Sequence, residues 1–276
     1  MAGQVQVLSQ LMADYIDLDP TVENTRANAR ELAREILRIT GGRPVAPGAF
    51  PECCLVGNSS GGGFLNGWFC TGTLIHPRVV VTARHCITST TGALDPSAIA
   101  IGVEDQRDVR QGHIKRLARI HEHPTEDLAL LVLQSKTDIQ PIPIAEPNEI
   151  VNAGSVHLVG FGNTDPAGTI GFGTKREVGV PMNVVRRTPN EDLSDAEAIL
   201  RFNSFTEFVA GRKGSRKDSC TGDSGGPAYV SVDGSRKLAG ATARATGEAD
   251  QDCGDGGVYV RLDVAKNWIE DVLRTV

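Results

Sequence analysis

The pattern of apolar and polar positions changes character once along this 276-residue chain, near Gly41-Gly42. Before that point Val5, Leu8, Leu11, Met12, Tyr15 and Ile16 recur at helical spacing over residues 4–16. Asp19-Pro20 breaks the stripe, and Ala29, Leu32, Ala33, Ile36 and Leu37 resume it within residues 22–38. The expectation is two amphipathic helices. Beyond Gly42 the chain becomes a series of short β-rich runs separated by Gly, Pro and Asn. Strands are expected near 50–57, 68–76, 79–84, 98–103, 108–121, 128–133, 155–162, 175–187, 199–210, 227–232, 237–246 and 256–262. About twelve closely spaced strands with no helical pattern between them point to a pair of barrels or a sandwich. The Pro-containing stretch from Gln140 to Pro147 is the expected crossing between halves. At the end, Asp263 is positioned to cap a helix whose Val264, Trp268, Ile269, Val272 and Leu273 share one face.

Composition narrows the partners. A hydrophobic content of 40% and a charged content of 22% are ordinary for a globular protein, and a net charge of -6 argues against a nucleic-acid surface. No apolar stretch approaches the roughly 18–20 residues of a membrane helix. Asp14, Asp17 and Asp19 interrupt the apolar residues of the first twenty, so no export leader is recognisable there. The six cysteines, at 53, 54, 70, 86, 220 and 253, pull the other way, because disulfides persist mainly in oxidising compartments. Compartment therefore stays open between the cytoplasm and export. Sequence does not fix the pairing. Cys70 and Cys86 bracket an apparent hairpin, so a bridge there is geometrically reasonable. Cys220 and Cys253 flank two glycine-rich turns. Adjacent Cys53 and Cys54 are buried thiols, a vicinal bridge or an intermolecular link.

The densest chemistry lies in Asp218-Ser219-Cys220-Thr221-Gly222-Asp223-Ser224-Gly225-Gly226-Pro227. Glycines let the backbone bend sharply and aim N–H groups inward, presenting a serine oxygen to a carbonyl carbon and amides to the oxyanion that forms. Such a serine needs a base. His85 ends the β-branched run Val79-Val80-Val81-Thr82-Ala83-Arg84, beside Cys86. Histidine suits the task because its pKa of about 6.5 lets it take and return a proton near neutrality. Asp127, leading into the apolar run Leu128-Ala129-Leu130-Leu131, is the candidate acid that orients the imidazole, since an unpartnered buried carboxylate is costly. The remaining histidines read as surface or strand residues, and His121-Glu122-His123 is too isolated for a metal site. No metal or other cofactor is expected.

With these three motifs in this order, Thr82-Ala83-Arg84-His85-Cys86, Asp127-Leu128-Ala129-Leu130-Leu131 and Gly222-Asp223-Ser224-Gly225-Gly226-Pro227, the chain resembles the chymotrypsin/trypsin family of serine proteases from about residue 39 to the end. The resemblance implies an all-β fold: two six-stranded antiparallel β-barrels, with the active site in the cleft between them and a C-terminal helix. The barrels would span about 39–145 and 146–262, with the helix at 263–274 and residues 1–38 forming a helical pro-segment or partner-docking segment. It implies Ser224 as nucleophile, His85 as general base, Asp127 as its orienting acid, and the N–H groups of Gly222 and Ser224 as the oxyanion hole.

It further implies that cleavage at Arg38-Ile39 frees an ammonium group that pairs with Asp223 and orders the site. Asp218, six residues before Ser224, matches the carboxylate that selects Arg or Lys before the scissile bond, so Arg38-Ile39 is itself a candidate for self-cleavage in place of a separate activating protease. The expected partner is a protein or peptide substrate. One segment departs from the family: Ala239-Gly240-Ala241-Thr242-Ala243-Arg244-Ala245-Thr246-Gly247 stands where a Ser-Trp-Gly wall is usual. An added Cβ there would narrow the pocket, and Arg244 replaces an aromatic platform. The serine that usually supports the pocket aspartate is missing, unless Thr242 substitutes for it. The alternatives are an intracellular effector protease with one dedicated protein substrate and a catalytically silent binding homologue.

Overall fold

The computed structural model of the protein describes residues 42–58, 67–89, 92–93 and 95–276. The two helices expected before residue 39, and the Arg38-Ile39 junction, lie outside the described residues.

The β-rich reading holds. Fifteen strands are formed by the described residues: β1 (Arg43–Pro44), β2 (Cys53–Gly57), β3 (Trp68–His76), β4 (Val79–Thr82), β5 (Thr88–Ser89), β6 (Gly92–Ala93), β7 (Ala98–Ala100), β8 (Ile114–Glu122), β9 (Ala129–Leu133), β10 (Ser155–Gly160), β11 (Arg176–Val184), β12 (Glu207–Ala210), β13 (Pro227–Val232), β14 (Ser235–Ala245) and β15 (Gly257–Arg261). Strands β2, β3, β4, β9, β8 and β7 close into one antiparallel barrel. In the second sheet β11, β10, β13, β14, β15 and β12 follow one another, and β12 pairs back onto β11 to close a second barrel of six, with β1 added against β11. Closure removes the free strand edges that would otherwise recruit other chains.

Val-, Ile- and Leu-rich runs explain the barrels. Strands β4 and β9 are buried along their whole length, because one side chain set fills the barrel and the other packs outside it. One core cluster joins Val79, Val81, Leu128 and Leu130 of the first barrel to Tyr229, Leu238 and Ala241 of the second, so the two halves share apolar contacts. The crossing segment ties them as well. Ile142 N–H donates to the Leu74 carbonyl in β3, while Leu238 N–H in β14 donates to the Pro143 carbonyl. Among the described residues there are three α-helices: α1 (Pro147–Val151), α2 (Ser194–Leu200) and α3 (Lys266–Leu273). Helix α3 sets Ile269 and Val272 into the shared core.

Three local expectations need correction. The run 199–210 is strand only at Glu207–Ala210, because Ser194-Asp195-Ala196-Glu197-Ala198 favours a helix that stops at Arg201 in the left-handed region (φ 55°). The run 108–121 begins with 3-10 turns, the first capped when Asp105 accepts the Arg107 N–H at 2.8 Å, so β8 starts only at Ile114. Asp263 does not cap the last helix. It accepts a forked pair from Arg261 at 3.0 and 2.6 Å, and Val264 is exposed outside α3.

Both expected bridges, Cys70–Cys86 and Cys220–Cys253, are formed. Cys53 and Cys54 are buried thiols. Consecutive strand residues face opposite sides, so Cys53 enters the shared core and Cys54 the outer cluster around Leu74 and Ile99. Burial pushes the Cys54 thiol up to about 12 and Cys53 well above its ordinary range, which leaves both as inert apolar fillers. Leu130 is fully buried at the heart of this packing, and Leu130→Ala is expected to lower unfolding free energy by about 2–5 kcal/mol in urea denaturation.

Candidate active site

The register of β4 against β9 brings the first two candidate groups together. Thr82 faces Ala129 at the end of that ladder, so the residues just beyond Thr82 meet those just before Ala129. The chain turns there through the 3-10 segment Arg84–Cys86, tethered to β3 by the Cys70–Cys86 bridge. The Asp127 carboxylate is gripped twice: Oδ1 accepts the His85 backbone N–H at 2.9 Å, and Oδ2 lies 2.7 Å from His85 Nδ1. Burial alone would raise the Asp127 pKa, but the ring and backbone hydrogen bonds from His85, with Arg84 nearby, hold it below the usual carboxylate range. The imidazole keeps 40% of its surface exposed, against 24% for the carboxylate, so the ring faces the cleft with the acid behind it.

Ser224 is placed by backbone hydrogen bonds to both barrels. Its carbonyl accepts the Thr71 N–H of β3 at 3.0 Å and lies 3.5 Å from Sγ of Cys86, the residue after His85. On the other side Gly225 N–H donates to the Thr242 carbonyl of β14 at 2.8 Å, and Thr242 N–H returns a bond to Gly226 at 2.9 Å. The turn requires its glycines: Gly222 (φ 98°) and Gly225 (φ 77°) are left-handed, and a Cβ on Gly225 would collide with the Thr82 hydroxyl. The Gly222 carbonyl is drawn away by the Thr71 hydroxyl at 2.9 Å. Among the described residues neither the Gly222 nor the Ser224 N–H has a protein acceptor, so both donors remain available at the serine.

Asp223, between them, turns into the protein. Its Oδ1 accepts the Gly162 N–H at 2.7 Å and its Oδ2 the Cys220 N–H at 2.8 Å. A side chain on Gly160 or Gly162 would overlap this carboxylate, which explains the spacing Gly160-Phe161-Gly162. Burial lifts the Asp223 pKa to about 6, against the pull of those two N–H groups and of the Arg176 charge.

Asp218 lies beneath the serine turn with 1% of its surface exposed. Its support is not Thr242, whose hydroxyl bonds the Gly226 carbonyl at 3.1 Å. Asp218 Oδ1 instead accepts Ser219 N–H at 2.7 Å and Tyr259 O–H at 3.0 Å, with Ser219 Oγ at 3.3 Å. Gly257 gives it room, since a Cβ there would stand 3.1 Å from the carboxylate and 2.9 Å from the Tyr259 oxygen. Burial raises the Asp218 pKa to about 7 despite these donors. Ser219, Tyr259 and Gly257 escaped the sequence reading. The usable signal was the Gly-Gly-Val-Tyr run, whose alternation turns Gly257 and Tyr259 to one face. Arg244, at the departure from the family wall, forks onto Glu207 at 2.6 and 2.8 Å and borders a cavity of about 380 Å³ with Arg201, Gly247 and Asp252.

Two closed barrels, an imidazole-carboxylate pair and a glycine-flanked serine at their junction define the architecture of the chymotrypsin-like proteins. Comparison with protein families matches residues 39–269 to the Trypsin family, and the chain belongs to it.

The buried carboxylates fix a pH signature. Asp218 and Asp223 have folded pKa values of about 7 and about 6, above the unfolded value near 3.9. The folded state therefore holds more protons than the unfolded state between roughly pH 4 and 7, and stability falls as pH rises through that window. Asp218→Asn is expected to flatten the part of the decline owed to Asp218, worth about 1.4 kcal/mol per pH unit at most. Urea midpoints from pH 4 to 8 for both proteins check this, and parallel curves would contradict it.

Proposed function

We propose that this protein is a serine endopeptidase that works through an acyl-enzyme, cleaves after Arg or Lys, and is made as a precursor cut at Arg38-Ile39. The observation that carries the reading is the double hydrogen bond from His85 to Asp127. With Nδ1 held by the carboxylate, Nε2 is the ring nitrogen left to serve a proton acceptor's role toward Ser224. Ser224 Oγ attacks the scissile carbonyl carbon as its proton passes to His85 Nε2, and Asp127 stabilises the imidazolium that forms. The N–H groups of Gly222 and Ser224 stabilise the oxyanion, and His85 then protonates the leaving amine. Water repeats the sequence on the acyl-enzyme. Loss of one oxyanion donor in such sites costs on the order of 10²–10³ in turnover.

The buried carboxylate of Asp218 supports a preference for a cationic side chain before the scissile bond. A guanidinium or ammonium arriving there favours the ionised acid and supplies the partner that burial demands. In the precursor step, the ammonium of Ile39 released by cleavage after Arg38 pairs with Asp223, which already carries the backbone bonds that shape the serine turn. The substrate is a protein or peptide, and the activating cut is made either by another protease or by the enzyme itself.

A fluorophosphonate probe is expected to label wild-type protein at Ser224 and to leave Ser224→Ala and His85→Ala unlabelled. Turnover of Arg-containing peptides is expected to fall by at least about 10⁴-fold in Ser224→Ala. A silent homologue would give no label in any form. Asp218→Ala is expected to lower kcat/KM for Arg and Lys peptides by roughly 10²–10³-fold, the effect of breaking a buried charge pair, while Ser224 still labels. For the precursor step, mass spectrometry of fully active material is expected to show an N-terminus at Ile39. Full activity with Met1 still attached overturns it.

A further inference from the structure

Strand β8 carries Lys115, Arg116 and Arg119 in a protein whose net charge is -6. Several other exposed cations are ion-paired: Arg43 with Glu177, Arg107 with Asp105, Lys213 with Asp250 and Lys266 with Glu146. Among the described residues no carboxylate lies within ion-pair distance of Lys115, Arg116 or Arg119. Arg110, in the turn before the strand, directs its guanidinium to the backbone carbonyls of Arg107 and Val109. Neighbouring like charges repel, so an unmatched cluster costs stability when nothing binds it.

The backbone gathers these charges. Residues three apart on a regular strand face opposite sides. Here Leu117 pairs with Leu133 while Arg119 pairs with Val132, so Ala118 is an inserted bulge residue. The bulge returns Arg119 to the side of Arg116, and both are exposed. Beside them is a cavity of about 340 Å³ whose walls include Arg116 and Arg119 together with Pro96, Leu117, Ala118 and Ile120.

We propose that this face of β8 is a docking surface for an extended acidic segment of a protein, with one apolar side chain seated in the cavity over the exposed Ala118 and carboxylates set against Arg116 and Arg119. Charge complementarity selects the acidic partner. The apolar walls favour a peptide over a sulfated sugar, which has no hydrocarbon side chain to bury. The location gives the contact a use: β8 runs directly toward the loop of Asp127, where His123 N–H donates to the Leu128 carbonyl at 2.9 Å. A partner held on β8 is thus bound to the barrel that carries His85 and Asp127, while the surface itself goes beyond the proposed proteolysis and does not need it.

The test uses full-length protein carrying Ser224→Ala, so binding is read without cleavage. The probe is a fluorescent peptide alternating Glu with Leu and Phe, followed by anisotropy. Binding is expected, with affinity falling as salt rises, and Arg116→Glu/Arg119→Glu is expected to weaken it by at least about tenfold. Arg116→Lys/Arg119→Lys is expected to retain most of it. If the double reversal does not fold, Arg116→Ala and Arg119→Ala singly are read in its place, each with a smaller loss. Equal affinity in the wild-type surface and the reversed one overturns the proposal. So does a heparin oligosaccharide binding this face when the peptide does not, which would make it a polyanion site. In the active background the reversed variant is expected to cleave a small neutral-flanked Arg peptide at the wild-type kcat/KM, so a failure of proteolysis and a failure of docking are read separately.

Discussion

The site depends on one backbone junction. The turn around Ser224 is bonded on one side to Thr71 of the first barrel and on the other to Thr242 of the second. Both bonds use main-chain N–H and carbonyl groups in a buried place where a missing partner would cost a few kcal/mol. They set where the serine stands relative to the His85 turn, which is itself stapled to the same β3 strand through Cys70–Cys86. Strand β3 is therefore the common reference for Ser224 and His85, and the two barrels cannot shift against one another without breaking it. Gly225 is the narrowest part of this junction, since its Cα lies against Thr82, Ala83 and Thr71 with no space for a side chain.

Around that junction three carboxylates occupy environments that push them apart. Asp127 is stabilised as an anion by the histidine it orients, whereas Asp218 and Asp223 are raised by burial that their hydrogen bonds only partly offset. The difference follows from donors. Asp127 receives two bonds from one residue that can itself become cationic, while Asp223 receives two neutral backbone N–H groups and Asp218 a backbone N–H with neutral hydroxyls. Neutral donors reduce the cost of a buried charge without cancelling it. On the proposed reading, both raised acids await cations from outside the described fold: a substrate side chain for Asp218 and a chain terminus for Asp223.

Much of this was legible in the sequence, for identifiable reasons. The all-β class was readable because short β-branched runs separated by Gly and Pro leave few folds besides a sandwich or a pair of barrels, and the resemblance carried by the three motifs favoured the barrels. His85 and Asp127 were readable because each adjoins a strongly apolar strand, so register alone brings them together. What stayed hidden depended on local competition or on contacts remote in sequence. The helix at Ser194–Leu200 was missed and its end read as the start of a strand, because Ile199, Leu200 and Phe202 obscured the helix formers before them. Asp263 looked like a cap, but Arg261 two residues earlier offered it a charged partner instead. Tyr259 reaches Asp218 across 41 positions, and no local pattern encodes that.

The departure at Ala243-Arg244-Ala245 shows which parts of such a site tolerate change. The serine turn is held by backbone bonds to β3 and β14, with the Thr71 and Thr242 hydroxyls on its carbonyls, so the other side chains along β14 do not enter its geometry as long as the ladder forms. The wall beside the pocket is built from side chains and is free to vary. Here Arg244 is stabilised by a fork onto Glu207, a buried residue of β12 across the intervening β15, and its second amino group also bonds the Arg201 carbonyl at 2.9 Å. Two tethers hold the guanidinium as a flat polar surface where an aromatic ring is usual in the family. On the proposed reading, the frame that carries the chemistry and the wall beside the pocket are therefore separable, one fixed largely by main-chain hydrogen bonds and the other by an ion pair and one bond to a backbone carbonyl.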